Sequence, residues 1–349
     1  MRERDVRLGR ALREGVDGLE ARIVAVYPER GEAVDLLAAE RSRLERAGAT
    51  PAAAERVARA LFPSSMAAAI SAGAEFLAAV RRAAADPDPR AILPLPELRW
   101  APPVDPPVMR DASAFEEHLV NAHARGKKPV PDYFYEAPAY YKMSPATVVG
   151  PEATVPFPAD TAYLDYELEL AMVVGKAGAD LRPEEVGDHL FGLTIMNDFS
   201  ARDVQAREMT SGFGPAKGKD FATALGPWIT TVDELPDLGQ LTMVARVNGE
   251  EWSRGSAATL MWSLEEIVAF ASRHEAVLPG EVIGTGTVGL GCGLELYRRL
   301  KPGDVVELEV EGLGVLRNRI GEPRPARWDP KPKPRRAKVT LPPREARRP

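Results

Sequence analysis

The 349-residue sequence predicts a mixed α/β, β-rich fold in which a smaller N-terminal domain precedes a larger one. Three observations support this fold class. Alanine-rich sequence between residues 51 and 85 carries apolar residues at helical spacing, which favours helices. Prolines recur between residues 87 and 107 and exclude long regular elements there. Short apolar runs separated by Gly and Pro follow, a pattern typical of many short strands.

These segments predict three parts of the chain. An N-terminal α/β domain with a Pro-rich linker should cover residues 1–105, and a main domain should cover residues 106–321. Residues 322–349 are basic, rich in Pro and poor in apolar side chains. We therefore expect an extended or disordered tail.

Within the N-terminal domain, residues 23–27 favour a strand. The helical pattern that follows is broken near residues 62–65, so two helices are expected. The apolar residues at helical spacing are Val57 and Leu61 in the first helix and Phe76 and Val80 in the second.

In the main domain, several runs favour strands, at residues 148–150, 164–175, 191–198 and 305–312. One helix should interrupt them, because Ser263 and Glu266 have the spacing of a capping box. An apolar stripe then continues this helix up to His274.

Composition excludes several classes of protein. The chain has 45 basic and 51 acidic residues, and this net charge of −6 argues against nucleic acid or an anionic membrane as a partner. No apolar run is long enough to span a membrane, and no signal peptide is visible, so we expect a cytoplasmic protein. Cys292 is the single cysteine, so any metal must be held mainly by oxygen or histidine.

The acidic strand at residues 164–175 is the most informative segment. Strand alternation places Asp165, Glu167 and Glu169 on one face, opposite a row of apolar residues. An ordinary sheet with one wet face explains this pattern. The alternative is a cation site, because neighbouring carboxylates on one face can converge on a hard ion.

Further polar residues follow downstream. Asp198 ends an apolar run and is either another cation ligand or the N-cap of a helix that begins with SARDVQ. On that helix, Arg202 and Gln205 are three residues apart and could contact an anionic substrate, or Arg202 could pair with a neighbouring acid. Lys217 and Lys219 lie in a Gly-rich loop, either beside a ligand or in solvent.

His118 is the one histidine that we consider as a general base, near the start of a predicted helix. The run of residues 284–289, GTGTVG, formally matches a dinucleotide-binding fingerprint. Because more glycine and a turn follow it instead of a helix, this interpretation is rejected. A G-x-S-x-G elbow and a P-loop are absent from the sequence, which leaves serine-hydrolase and nucleotide chemistry without support.

Three strings together resemble the fumarylacetoacetate hydrolase family in order, spacing and identity. They are LDYELELAMVVG, GLTIMNDFSARDVQ and GKDFATALGPW. The resemblance extends from about Asp111 to Gly321. It implies a β-sandwich roll as the catalytic domain over residues 106–321, a smaller N-terminal domain, and a homodimer.

The resemblance also implies a divalent cation, with Mg²⁺ preferred and Ca²⁺ or Mn²⁺ as alternatives. Its implied ligands are Asp111, Glu167, Glu169 and Asp198. His118 would be the general base, oriented by Glu295, and Lys219 would stabilise an oxyanion. Further substrate contacts are implied at Arg202, Gln205, Tyr140, Lys127, Thr223 and Thr285. Lys127 and Met209 depart from the residues typical of the nearest relatives, arginine and tyrosine, which concerns substrate choice.

The implied activity is hydrolysis of a carbon–carbon bond in a β-dicarbonyl acid of the fumarylacetoacetate, fumarylpyruvate or acylpyruvate type. The alternatives are decarboxylation, isomerisation or hydration of a metal-chelated 2-oxo acid of the oxaloacetate type. A base paired with a carboxylate favours hydrolysis, since decarboxylation needs no base to activate water. In each case the partner is a small carboxylic acid, and a purely binding role would not require this set of residues.

Overall fold

The computed structural model describes residues 7–15, 18–234 and 241–336. Its strands, numbered β1 to β19 in chain order, are Arg7–Gly15, Gly18–Tyr27, Glu32–Asp35, Ile92–Pro94, Arg99–Ala101, Met109–Ala112, Tyr140–Met143, Val148–Val149, Thr154–Pro158, Leu164–Asp165, Leu168–Val174, Leu190–Asn197, Ser200–Ala201, Thr223–Thr231, Thr242–Val247, Glu250–Ser256, Val282–Gly284, Val305–Val310 and Gly314–Arg324. Its α-helices, α1 to α9, are Leu36–Arg46, Pro51–Leu61, Met66–Ile70, Ala74–Ala85, Glu116–Arg125, Tyr133–Glu136, Arg202–Glu208, Leu264–Ala271 and Gly293–Leu296.

Most strands belong to one twelve-stranded sheet, with the order β4-β3-β2-β1-β14-β12-β11-β17-β6-β7. In addition, β5 pairs with β1 and β8 with β14. A five-stranded sheet has the order β16-β15-β18-β19-β9, and β10 pairs with β13. The fold is thus mixed α/β and β-rich, as the sequence predicts.

The N-terminal strands extend the sheet of the main domain. Strand β1 pairs antiparallel with β14, with Leu8 opposite Ile229. The N-terminal helices then cover one face of this shared sheet, where Phe76 stacks on Phe191 with ring centroids 6.2 Å apart. The division at residue 105 stays a prediction, and the two parts share one hydrophobic cluster.

Both faces of β11 are therefore buried. Leu168 and Leu170 face the cluster formed with the five-stranded sheet, whereas Ala171 and Val173 face the cluster formed with the N-terminal helices. The interpretation of this segment as a sheet with one wet face is wrong, because the N-terminal residues that cover the second face come from a distant part of the sequence.

Several predicted elements are confirmed with adjusted boundaries. The capping box of Ser263 and Glu266 begins α8, but this helix ends at Ala271, before His274. The break at residues 62–65 separates α2 from α3, and a second break precedes α4 at Gly73, whose φ of 63° suits glycine. Val57, which belongs to the helical apolar pattern, is 46% exposed, and Ala54 and Ala58 form the buried face of α2.

The predicted tail begins inside a strand. Strand β19 continues to Arg324, which pairs with Pro158 of β9. Residues 325–336 have no helix or strand, and residues 337–349 lie outside the described residues. Within the described part of the chain, no helix has the length and apolar character needed to cross a membrane.

Candidate metal centre and active site

Four adjacent strands bring three carboxylates together. Asp111 lies on β6, Glu169 on β11, and Asp198 directly after β12. Strand β17 runs between β6 and β11, and there the residue level with Asp111 is Gly284. Each carboxylate offers one oxygen, and these oxygens all lie within 4.8 Å of one another. Glycine is required at this point, because an added Cβ at Gly284 would lie 2.5 Å from Asp111 Oδ1 and 3.0 Å from Glu169 Oε2.

This acidic cluster, defined by Asp111, Glu169 and Asp198, fits a hard divalent cation. All three side chains are buried, and Glu169 Oε2 and Asp198 Oδ1 have no hydrogen-bond partner among the described residues. Burial and the charge of Asp198 raise the pKa of Asp111 to about 8. Burial and Asp111 likewise raise the pKa of Glu169 well above its usual range. A cation would offset this mutual repulsion, and oxygen-only ligands suit Mg²⁺, Ca²⁺ or Mn²⁺.

The Gly-rich run of residues 284–289, which does not bind a dinucleotide in our interpretation, donates hydrogen bonds to the acidic cluster. The backbone N–H of Gly286 donates to Asp111 Oδ1 at 3.0 Å, and the Thr287 hydroxyl donates to Glu169 Oε1 at 3.3 Å. Sequence reasoning missed the role of Gly284, Gly286 and Thr287. Their small side chains and close spacing were the available signal, since glycine permits close approach of the backbone to a charged group.

Glu167, the fourth predicted ligand, is not part of the acidic cluster. Its Oε1 forms an ion pair with Arg202 NH2 at 2.7 Å, and its Oε2 accepts a hydrogen bond from Lys219. Burial alone would raise the pKa of Glu167, but Arg202 and Lys219 lower it below the usual range. Arg202 also donates from Nε to Asp165 at 2.8 Å, so it pairs with neighbouring acids as the alternative interpretation expected.

Lys219 connects the two groups of carboxylates. It is buried, and its Nζ contacts both Glu167 and Asp198, the latter at 2.5 Å. Burial would lower the pKa of Lys219, but the two carboxylates raise it, so the side chain remains an ammonium. Asp198 does not cap α7, whose N-cap is Ala201 without a side-chain hydrogen bond.

His118 and Glu295 meet as the resemblance implied. His118 Nδ1 lies 2.8 Å from Glu295 Oε2, which also accepts from Cys292 Sγ at 3.2 Å. The other oxygen, Oε1, accepts from Asn121 Nδ2 at 2.9 Å and from the backbone of Leu290 at 3.0 Å. Burial would raise the pKa of Glu295, yet the hydrogen bond from His118 and its charge hold it below the usual value. A carboxylate on Nδ1 fixes the ring and leaves Nε2 as the basic nitrogen.

Two neighbouring tyrosines of β7, Tyr140 and Tyr141, have different surroundings. The Tyr141 hydroxyl donates to Asp198 Oδ2 at 2.5 Å, whereas Tyr140 packs edge-on against Phe270. Successive residues of strand β7 point to opposite faces, so a shift of one position moves the phenol away from the carboxylates. The role of Tyr140 as a substrate contact stays a prediction. Tyr141 is the tyrosine at the site.

The remaining predicted substrate contacts lie in different surroundings. Gln205 accepts a hydrogen bond from Arg202 at 3.3 Å, and Thr223 is buried at the start of β14. Thr285 is buried and donates to backbone carbonyls at 3.1 and 3.2 Å. Lys127 is exposed in the turn after α5, with a φ of 52°. The roles of these four residues stay predictions.

Comparison with known proteins shows which family this chain is similar to. The family model described as Fumarylacetoacetate (FAA) hydrolase C-terminal matches residues 107–321. The chain is 36% identical over 188 residues to oxaloacetate tautomerase YisK of Bacillus subtilis, which covers 53% of this chain and 62% of that protein. It is 31% identical over 264 residues to the human mitochondrial oxaloacetate tautomerase FAHD2A, covering 74% of this chain and 80% of the relative. The human relative is named as a mitochondrial protein, so the cytoplasmic location of this chain stays a prediction.

A solved structure extends the similarity to the whole fold. The fumarylacetoacetate hydrolase of the psychrophile Exiguobacterium antarcticum superposes with a TM-score of 0.68 at 26% identity. The superposition covers 91% of this chain and 100% of that one. The family model matches more than half of the 349 residues, and that matched range contains every residue of the acidic cluster. The chain belongs to the fumarylacetoacetate hydrolase family of enzymes.

Proposed function

We propose that this chain is a divalent-metal-dependent keto–enol tautomerase of a 2-oxo dicarboxylic acid of the oxaloacetate type. The observation that carries the proposal is the similarity to two proteins named oxaloacetate tautomerases, one of them aligned over 74% of this chain. The acidic cluster and the His118–Glu295 pair supply the chemistry that such a reaction needs. This proposal replaces carbon–carbon hydrolysis, our first expectation, as the main activity.

The histidine does not favour hydrolysis over tautomerisation. A base that can take a proton from water can equally take one from an acidic carbon next to a carbonyl. Glu295 holds His118 through Nδ1, so Nε2 is available for either reaction. The presence of a general base distinguishes hydrolysis from decarboxylation, which needs no base. It does not distinguish hydrolysis from tautomerisation, because both reactions need one.

The proton transfer can be assigned to specific atoms. In the keto-to-enol direction, His118 Nε2 takes a proton from C3 of the substrate, and the imidazolium that forms gives this proton to the oxygen on C2, which regenerates the neutral base; the reverse direction moves the proton from the oxygen back to C3. Glu295 stabilises the imidazolium that forms, at 2.8 Å from Nδ1. The ammonium of Lys219, buried beside Asp198, donates to the C2 oxygen as negative charge develops there.

Asp111, Glu169 and Asp198 would hold the divalent cation, and we expect Mg²⁺. When bound, the cation supplies a Lewis acid that polarises a carbonyl oxygen. Tyr141 donates to Asp198 and fixes the direction of that carboxylate. Glu167 stays paired with Lys219 and so keeps the ammonium at the edge of the acidic cluster.

Carbon–carbon hydrolysis is the second candidate. It is favoured by the similarity, over 91% of this chain, to a fumarylacetoacetate hydrolase, at 26% identity and a TM-score of 0.68. The two reactions differ in their products, because hydrolysis consumes water and releases two acids, whereas tautomerisation leaves the carbon skeleton intact. Product analysis therefore separates them.

The test follows the ultraviolet absorbance of enol-oxaloacetate with purified chain and Mg²⁺, and analyses products from fumarylpyruvate, acylpyruvates and fumarylacetoacetate in parallel. We expect accelerated tautomerisation that disappears with a chelator. His118→Ala should lose about 10²-fold or more. The matched control is His123→Ala on the same helix, since the His123 ring bonds the backbone of Leu119 and should leave the rate unchanged.

Release of two acids from a dicarbonyl substrate, without accelerated tautomerisation, would overturn the proposal in favour of hydrolysis. Loss of CO₂ from oxaloacetate that persists in His118→Ala would instead indicate a decarboxylase.

A further inference from the structure

The carboxylate of Glu208 binds the loop that follows α7. It accepts hydrogen bonds from three successive backbone N–H groups: Ala216 at 2.7 Å, Lys217 at 2.8 Å and Gly218 at 3.0 Å. Successive N–H groups that converge on one point form an anion-binding concavity. Hydrogen bonds to an ionised acceptor are also stronger than neutral ones. Glu208 therefore fixes the backbone of three consecutive residues at once.

The next residue in this turn is Lys219. Its own N–H donates to the carbonyl of Ala216 at 2.9 Å, which closes the turn immediately before the lysine side chain. The carbonyl of Gly218 accepts from Ala201 at 2.8 Å, so the turn is also joined to β13. Gly218 packs directly on α7, where an added Cβ would lie 2.7 Å from Gln205 Cα.

These contacts set the position of the Lys219 ammonium. Its Nζ contacts Glu167 and Asp198 inside the protein, although the loop that carries the lysine lies near the surface, where Lys217 is exposed. A long side chain reaches a fixed point only if its backbone is fixed. Without the Glu208 carboxylate, the three N–H groups would need water as their hydrogen-bond acceptor, and the backbone at Lys219 would no longer be fixed.

We infer that Glu208 is a positioning residue, which acts through Lys219 and does not touch substrate. This inference rests on the proposed function and deepens it, because it assigns a further residue to the group that stabilises the C2 oxygen. The acid lies at the end of the same helix that presents Arg202 and Gln205. One helix thus organises both the paired carboxylate Glu167 and the loop that supplies its second cation.

A double-mutant cycle tests the inference. Glu208→Ala should lower kcat about 10- to 100-fold, since a small misplacement of a catalytic group costs up to about 10²-fold. In a Lys219→Ala background, the same substitution should change kcat less than about twofold, because residues that act as a unit are not additive. Glu208→Gln, which keeps shape and part of the acceptor capacity, should fall between wild type and Glu208→Ala and serves if Glu208→Ala does not fold.

Two further measurements complete the design. Lys217→Ala is the control in the same loop, and it should keep the wild-type rate because its side chain is 83% exposed. Hydrogen exchange followed by mass spectrometry should show faster exchange at residues 214–220 in Glu208→Ala, with strands β11 and β12 unchanged.

The outcomes separate this inference from the proposed function. Equal losses from Glu208→Ala with and without Lys219 would overturn the inference and leave the function standing. Unchanged exchange at residues 214–220 would also overturn it. A wild-type chain without tautomerase activity would overturn the function, and the inference would then be decided by the exchange measurement.

Discussion

Glu167 and Glu169 are separated by one residue, yet the structure surrounds their carboxylates differently. Glu167 faces two cations of the chain, Arg202 and Lys219. Glu169 faces Asp111 and a threonine hydroxyl, and its Oε2 has no partner among the described residues. Burial raises the pKa of both, but the cations bring that of Glu167 below its usual range while Asp111 helps to keep that of Glu169 well above it.

The difference shows how burial alone fails to identify a metal ligand. All five carboxylates of this region are buried, namely Asp111, Asp165, Glu167, Glu169 and Asp198. The negative charges of Asp165 and Glu167 are balanced by cations of the chain itself, Arg202 and Lys219, and we call these two acids the compensated pair. The acidic cluster has three carboxylates and contact with one ammonium, at Asp198. The shortage of positive charge, and not the number of acids, therefore points to an external cation.

The largest expected effect comes from removing charge from the acidic cluster. Glu169→Gln should abolish metal-dependent tautomerisation by at least about 10³-fold, because Lewis-acid assistance is worth several kcal/mol. The same substitution should stabilise the metal-free chain against urea, because it removes one of three repelling carboxylates. A loss of activity together with a gain in stability of the metal-free chain would show that this carboxylate is a metal ligand without counter-charge in the chain. A destabilised metal-free variant would contradict the view that this cluster lacks counter-charge.

The second prediction concerns the compensated pair, from which one cation is removed. Arg202→Ala leaves Asp165 and Glu167 buried with one cation fewer, and it should lower the free energy of unfolding by about 3 kcal/mol. Urea denaturation of the metal-free chain measures this loss. Arg254→Ala is the control, because its pair with Glu251 is exposed and should contribute less than about 1 kcal/mol. Equal losses in both variants would show that burial does not strengthen the Arg202 pairs.

Local sequence signals predicted five segments that contain strands in the structure, at residues 23–27, 148–150, 164–175, 191–198 and 305–312. The string NDFSARDVQ follows the apolar run of β12, so the change from apolar to polar residues marked the end of that strand and the position of Asp198. The capping box of Ser263 and Glu266 was local as well, and it forms as expected. Such signals depend on residues a few positions apart, and sequence reasoning is strongest there.

Contacts between distant segments could not be predicted from the sequence. The pairing of Glu167 with Arg202 and Lys219 joins positions 35 and 52 residues away, which no local pattern encodes. The acidic side chains of residues 165–169 are buried by contacts with Arg202, Lys219 and Thr287, all of them more than 30 residues away in the sequence. The contact of Tyr141 with Asp198 depends on the register of β7 against β6, which decides which phenol of β7 faces the carboxylate.

The smallest expected effect comes from removing a single hydrogen bond to Glu169. The Thr287 hydroxyl is the neutral donor to Glu169, at 3.3 Å, and Thr287→Val removes it while nearly conserving volume. We expect the affinity for Mn²⁺, measured by titration calorimetry, to fall about tenfold, as is typical when an outer partner of a ligand is lost. Thr194→Val is the matched control, since this buried threonine donates to the carbonyl of Gly226 and should leave the affinity unchanged. If Thr287→Val also leaves the affinity unchanged, Glu169 is oriented by its strand alone, because β11 is held on both sides by β12 and β17.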